Sequence, residues 1–309
     1  MKISRIGGII AAASKRDAEP LLQIGTIPII KRIVISFQQA GIFPIVVVTG
    51  AEEDEVKYQL SSYGVIFIRN ENCEHPELID SVKIGLEYLL GKCDRMVFTP
   101  VNVPMFTPVT LNSLLAAHGD IVTPSCKGRG GHPIVLSETV VPQILAYSER
   151  GGLKAAISSM AKHRIFLPVN DPGIFISVRD SRQLEAYLAE HNRALLHPTV
   201  QLNLQRESVF FNTRIKLLLY LILDTHSVRS ACDRMALSYG KAWDMLNKLE
   251  AETGYPIAER KHGGKRGGNT TLTPRGLQFL KTWQNLEDSI FQFTQNEFSA
   301  LFRDSGLFL

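Results

Sequence analysis

Two groups of residues have types and spacings that can do chemistry. The first lies near the start, where Gly7 and Gly8 lead through Ile9 and Ile10 into Ala11, Ala12 and Ala13, followed directly by Ser14, Lys15 and Arg16. Small residues after an apolar run let the chain bend closely around a polyphosphate, and adjacent basic side chains neutralise its charge. The second lies near the end. Ser238, Tyr239, Lys241 and Lys248 fall within one helix-length segment, and Lys261, Lys265 and Arg266 sit in or beside the glycine-rich stretch from His262 to Asn269. Hydroxyls and amines on a helix can donate to base edges in a major groove, while basic residues on a thin hairpin follow phosphates. The helix residues alone would equally suit a solvated surface; the hairpin tips the balance toward DNA. From Arg229 to Lys281, about ten basic residues stand against about five acidic ones, a local excess as large as the +4 of the whole chain.

The elements that must position these groups follow from periodicity. Strand-like runs at 5–10, 45–49, 65–69, 96–99, 120–124, 133–136 and 165–169 alternate with amphipathic stretches at 29–40, 53–63, 78–90 and 110–117. That rhythm predicts an α/β domain with a mainly parallel sheet, in which ligands sit at the carboxyl ends of the strands. A helix over 181–190 leads into a segment around Pro198 with no apolar period, so a first domain is placed at 1–192 and a second at 193–309. In the second, Asn212 and Thr213 offer a cap to an apolar helix. Two shorter helices follow at 227–235 and 238–250, with Trp243, Leu246 and Leu249 as expected core. A strand at 256–261, the glycine-rich turn, a return at 270–272, and a final helix from Pro274 capped by Thr273 complete a winged helix-turn-helix.

Composition agrees with globular domains. Of 309 residues, 45% are hydrophobic and 21% charged, outside the polar, highly charged regime of disordered chains. No apolar run approaches the length of a bilayer span. Lys2 and Arg5 before Ile6 to Ala13 resemble a leader, but the short run and the following Lys15 and Arg16 favour a buried first strand. Cys73, Cys93, Cys126 and Cys232 are scattered without metal-binding spacing and read as reduced thiols, which places the chain in the cytoplasm.

From about residue 200 to 283 the chain resembles the DNA-binding domain of ModE-type molybdate-responsive regulators, a winged-helix group related to LysR-type regulators. The residues carrying this are Ser238-Tyr239 with Lys241-Ala242-Trp243, the wing glycines 263–264 and 267–268, and Leu272-Thr273-Pro274-Arg275-Gly276. Asn212 stands where that pattern has glycine, and asparagine tolerates a left-handed backbone. Residues up to about 190 resemble the molybdenum cofactor cytidylyltransferase (MobA-like) nucleotidyltransferases. The matches include Val46-Val47-Val48-Thr49-Gly50, Pro100-Val101-Asn102-Val103-Pro104, Gly131-His132-Pro133 and Asp171-Pro172-Gly173. The resemblance implies a Rossmann-like three-layer fold and a nucleotide site formed by Ala11, Ala12, Ala13, Ser14, Lys15, Arg16, Asn102 and His132.

The departures from that family fall on its chemistry. Ala13 replaces a loop glycine, Glu19 stands where the family has its phosphate-binding lysine, and Asn102 replaces a metal-binding aspartate. Ser177-Val178-Arg179-Asp180 carries one acid where the family has two or three. An amide brings no charge to hold Mg²⁺, and a carboxylate repels a triphosphate. The resemblance therefore implies impaired Mg²⁺ binding, no intact catalytic set and no metal site. His132 has two readings, a base- or pterin-contacting residue or a packed turn histidine; Asp171 reads as a cap or turn residue. The expectation is a cytoplasmic, homodimeric regulator that binds double-stranded DNA and senses a small-molecule effector, CTP, GTP or a molybdopterin-related compound, with no membrane partner. The alternative is an active nucleotidyltransferase fused to a regulatory DNA-binding domain.

Overall fold

A computed structural model describes residues 5–13, 20–72, 77–179, 181–261 and 269–303. In chain order the first part holds β1 (Ile6–Ala12), a small hairpin of β2 (Gln23–Ile24) and β3 (Ile27–Pro28), α1 (Ile29–Gln39), β4 (Ile45–Thr49), α2 (Glu53–Leu60), β5 (Ile66–Arg69), α3 (Leu78–Leu89), β6 (Arg95–Pro100), α4 (Pro108–Ala116), β7 (Ile121–Cys126), β8 (Arg129–Gly130), β9 (Ile134–Ser137), α5 (Val141–Ala146), α6 (Gly152–Ser159), β10 (Arg164–Pro168) and α7 (Ser181–Ala194). The main sheet runs β10-β7-β9-β6-β1-β4-β5, with β8 folded back on β7. Neighbouring strands from β6 to β5 are parallel, as are β10 and β7, and β9 lies antiparallel between the two sets.

Gly7 and Gly8 lie inside β1. Successive strand residues point to opposite faces. A Cβ at Gly7 would come within 2.7 Å of Leu89 on α3, and one at Gly8 within 2.6 Å of Phe37 on α1. The two glycines thus let a helix approach the central strand closely from each side, which is how the three layers close. Ile9, Ile10, Val46, Val47, Val97 and Phe98 are fully buried between them; removing such side chains from water stabilises the fold by about 1.5–3 kcal/mol each.

Contacts divide the chain into units Met1–Leu196 and His197–Leu309, a few residues past the expected boundary at 192. The reason is α7, which continues to Ala194 and is held to the first unit by polar ties. Arg32, only 2% exposed, donates to the carbonyl of Ile24, to Nδ1 of His191 and to Oδ1 of Asn192, while His191 Nε2 donates to the Phe106 carbonyl. Asp171 anchors the same helix from the other side. Its buried carboxylate accepts from the Thr107 amide and hydroxyl, the Thr110 hydroxyl, the Gly173 amide and the Tyr187 hydroxyl. It is a cap joining α4, the turn at Pro172–Ile174 and α7, in keeping with its reading from sequence.

The second unit has a short pair β11 (Leu204–Gln205) and β12 (Val209–Phe211), then α8 (Thr213–Thr225), α9 (Val228–Arg234), α10 (Tyr239–Thr253), the antiparallel β13 (Ala258–Lys261) and β14 (Asn269–Leu272), and α11 (Pro274–Phe298). Asn212 caps α8 by accepting from the Arg214 and Ile215 amides, but its φ of −159° is extended, so the left-handed geometry expected there is absent. Phe211 packs edge-on against Phe279 and Trp283 at 4.8 Å each, joining β12 to α11. Among the described residues no helix is long and apolar enough to cross a membrane. Cys93, Cys126 and Cys232 are buried free thiols, and Cys73 lies outside the described residues.

Replacing Asp171 by alanine leaves several buried donors unpaired. The first unit is expected to lose about 3 kcal/mol or more of stability, with a smaller loss for Asp171→Asn, read as urea midpoints of the two variants against the parent.

Candidate effector site and nucleic-acid interface

At the carboxyl end of β1, the side chains of Ala11, Ala12 and Ala13 are buried, at 6%, 5% and 2% exposure. This corrects the expected loop placement of two of them: Ala11 and Ala12 are strand positions, and the Ala11 carbonyl accepts from the Val101 amide. The backbone following β4 passes close by; a Cβ at Gly50 would lie 2.3 Å from the Ala13 carbonyl oxygen. Ser14, Lys15, Arg16 and Glu19 lie outside the described residues, as does Asp180. Asn102 follows β6 within the same sheet edge. Its carbonyl accepts from the Val178 amide, and its Oδ1 is buried with no hydrogen-bond partner.

A cavity of about 500 Å³ opens between β8, α6, β10 and the turn at Pro172–Ile174. His132 forms part of its wall. The His132 amide donates to the Ile174 carbonyl, its ring meets Phe98 edge-on at 5.4 Å, and its Nδ1 is buried without a partner. Burial, with Arg164 nearby, pushes its pKa down to about 4, so the imidazole is neutral at pH 7. Three cationic side chains, Arg129, Lys154 and Arg164, share this wall with Phe166 and Phe175. Arg129 lies over the Phe175 ring at 4.6 Å, and Arg164 over Phe166 at 4.4 Å while donating to the Thr123 hydroxyl. Positive charge beside aromatic faces suits a planar anionic ligand. Of this wall the sequence reading found His132 alone. Arg164 and Phe166 share a face of β10 by simple alternation, but nothing local marks Arg129 or Phe175 as their neighbours.

In the second unit, Ser238 caps α10, accepting from the Lys241 amide. Tyr239 and Lys241 are exposed at its start. Lys248 is exposed too, yet its ammonium donates to the Ser208 hydroxyl and the Val209 carbonyl, tying α10 to β12. Ala242, Leu246 and Leu249 are the buried positions of the helix. Trp243 is not among them, contrary to expectation: one residue beyond Ala242, it turns about 100° off the core and lies under Arg260. The hairpin is braced at its base. Glu250 Oε1 accepts from the Ile257 and Ala258 amides, and the Thr273 hydroxyl donates to the Pro256 carbonyl and caps α11 by accepting from the Gly276 amide. Lys261 ends β13; Lys265 and Arg266 lie outside the described residues.

The sequence profile of the MobA-like NTP transferase domain matches residues 11–165, half of the chain. The chain belongs to the MobA-like NTP transferase family. Its fold matches a nucleotidyl transferase from Methanothermobacter thermautotroptrophicus at a TM-score of 0.51 and 20% identity, over 62% of this chain and 98% of that one. A homologue from mycobacterium sp. strain JC1 of a Mycobacterium tuberculosis protein matches at 0.50 and 19%, over 61% and 98%. The C-terminal region is similar to the DNA-binding transcriptional dual regulator ModE of Escherichia coli (strain K12), with 31% identity over 106 residues. It is also similar to the Haemophilus influenzae transcriptional regulator ModE, with 30% over 95 residues. These stretches are 34% and 30% of this chain and 38% and 37% of the regulators, so the chain spans well under half the length of the curated relatives it matches.

Among the described residues, the side chains present do not fit the Mg²⁺ that a MobA-like NTP transferase implies. Asn102 offers one neutral oxygen in place of a carboxylate, and Asp171 has its oxygens committed to five donors. Among the described residues, no three His, Cys, Asp or Glu side chains come together to hold a metal.

His191 shares the depressed titration of His132, its pKa lowered to about 4 by burial and by Arg32. A folded-state pKa below the unfolded value of about 6.5 gives stability that is complete above pH 6.5 and is lost as the pH falls toward 4. The melting temperature is expected to drop across that window. A His132→Gln/His191→Gln variant should have a flatter profile there, and parallel profiles would refute the assignment.

Proposed function

We propose that this chain is a DNA-binding transcriptional regulator linked to molybdenum cofactor or molybdate metabolism, whose MobA-like unit senses a ligand rather than turning it over. The observation that carries this reading is the joining, in one chain, of a MobA-like unit carrying Glu19 and Asn102 at its phosphate and metal positions to a winged helix similar to ModE regulators. The cavity beside His132 is the proposed effector site. Its cations and rings favour a planar anion such as a phosphorylated pterin or a nucleotide, CTP or GTP among them, held with Arg129, Lys154 and Arg164. The regulator acts as a homodimer through α11. Leu280 and Trp283 are buried near the start of that helix, whereas Leu286 and Phe293 are 42% and 66% exposed further along, apolar surface that a second copy would cover.

The family match also favours the second reading, an active nucleotidyltransferase with a regulatory DNA-binding unit, and turnover separates the two. No Mg²⁺-dependent nucleotidyl transfer from CTP or GTP to molybdopterin is expected, and a Glu19→Lys/Asn102→Asp variant should regain part of triphosphate binding; robust transfer by the unsubstituted chain overturns the sensing role.

DNA recognition divides between the wing and the helix. Lys265→Ala and Arg266→Ala should weaken binding to operator and scrambled duplexes alike and flatten the salt dependence by about one unit per lost phosphate contact in each subunit. Tyr239 and Lys241, at the start of a rigid helix, should instead govern discrimination, by roughly 1–3 kcal/mol at one base position. Isotherms at several salt concentrations check this; a wing variant that alters sequence preference at constant salt slope reverses the roles.

A further inference from the structure

Two arginines in the second unit are mounted on aromatic rings of α10. Arg260, on β13, has its guanidinium carbon 3.2 Å from the centroid of Trp243, and Arg229, in the first turn of α9, lies 5.7 Å from that of Tyr239. The two rings meet each other edge to face, with centroids 6.1 Å apart at 72°. Arg229, Tyr239, Trp243 and Arg260 therefore form a continuous chain of contacts across α9, the first two turns of α10 and the base of the hairpin. Both arginines are exposed, and neither forms an ion pair among the described residues, unlike Arg206, Lys216 and Arg234 of the same unit. Glu259, next to Arg260, points to the other face of β13.

A guanidinium stacked on a ring uses its flat face and leaves its in-plane N–H donors available, and those match two phosphate oxygens at once. The ring also restricts a side chain that is otherwise rich in rotamers, so less freedom is lost when the arginine meets a ligand. Held in place beside the exposed start of α10, the two guanidinium groups present donors and positive charge on one side of the unit. We propose that Arg229 and Arg260 form a clamp on the phosphate backbone of double-stranded DNA, with Tyr239 and Trp243 as the residues that position them. The proposal rests on the DNA-binding reading above, and it adds contacts from α9 and from Arg260 of β13 to those that sequence placed on α10, Lys261 and the wing tip.

The test uses the full chain and a labelled random-sequence duplex over a range of salt. Arg229→Ala and Arg260→Ala are each expected to weaken binding about tenfold and to make the salt slope shallower by about one unit per lost contact. Arg260→Lys keeps the charge but not the fork, so the slope should stay while affinity falls. Trp243→Leu should lower affinity at unchanged slope, and Trp243→Phe should restore it; thermal melts confirm that each variant is folded. Unchanged affinity and slope in both alanine variants, with Lys265→Ala still weakened, overturn the clamp and leave the DNA-binding reading intact. Absence of duplex binding by the unsubstituted chain overturns both.

Discussion

Asp171 is a carboxylate surrounded by donors with no cation among them, and the cavity beside His132 depends on it. Its oxygens fix Thr107 and Thr110 at the start of α4, Gly173 in the following turn and Tyr187 on α7. Burial and the neighbouring carboxylate push the Tyr187 hydroxyl's pKa up, so it stays a donor. The turn thus pinned presents the Ile174 carbonyl to the His132 amide and carries Phe175, which Arg129 covers. One buried anion therefore sets two ring-bearing walls of the cavity. Buried carboxylates of this kind are costly unless every lone pair is used, and here the donors outnumber the oxygens.

The β1 end shows the opposite economy. The strand, its glycines and the small residues after it persist, and the backbone of Val101 still pairs with Ala11. What has changed is charge: Asn102 is neutral and its Oδ1 is unpartnered. The backbone frame at the end of β1 is thus kept, while the side chain at 102 brings no charge to it.

Much of this was legible in the sequence where the signal is local. The alternation of apolar runs gave the strands of the main sheet, and Thr273, Pro274 and Gly276 read as a helix start because cap, N1 proline and close backbone approach are consecutive. Gly276 proved to be required by a carbonyl: a Cβ there would sit 2.3 Å from the Ile257 oxygen. Where the structure departs, the cause is tertiary. Trp243 looked like core by type, yet the helix phase set by Ala242, Leu246 and Leu249 turns it toward Arg260. Ala11 and Ala12 looked like a loop because small residues permit one, and became strand because β4 and β6 claim their backbone. Arg129, Arg164 and Phe175 come from three separate elements, so no spacing along the chain could have joined them.

The corner built by Thr273 has a mechanical consequence. The same residue that bonds the Pro256 carbonyl also caps α11, and Gly276 presses the helix onto Ile257, so hairpin and helix leave one rigid joint without a flexible linker. If two chains meet along α11, torsion about that helix axis is passed undamped to the hairpins. The angular phase between two half-sites on a duplex is then set by side-chain packing far from the bases, and an operator with an added base pair between its halves would be rejected by geometry before any base is read.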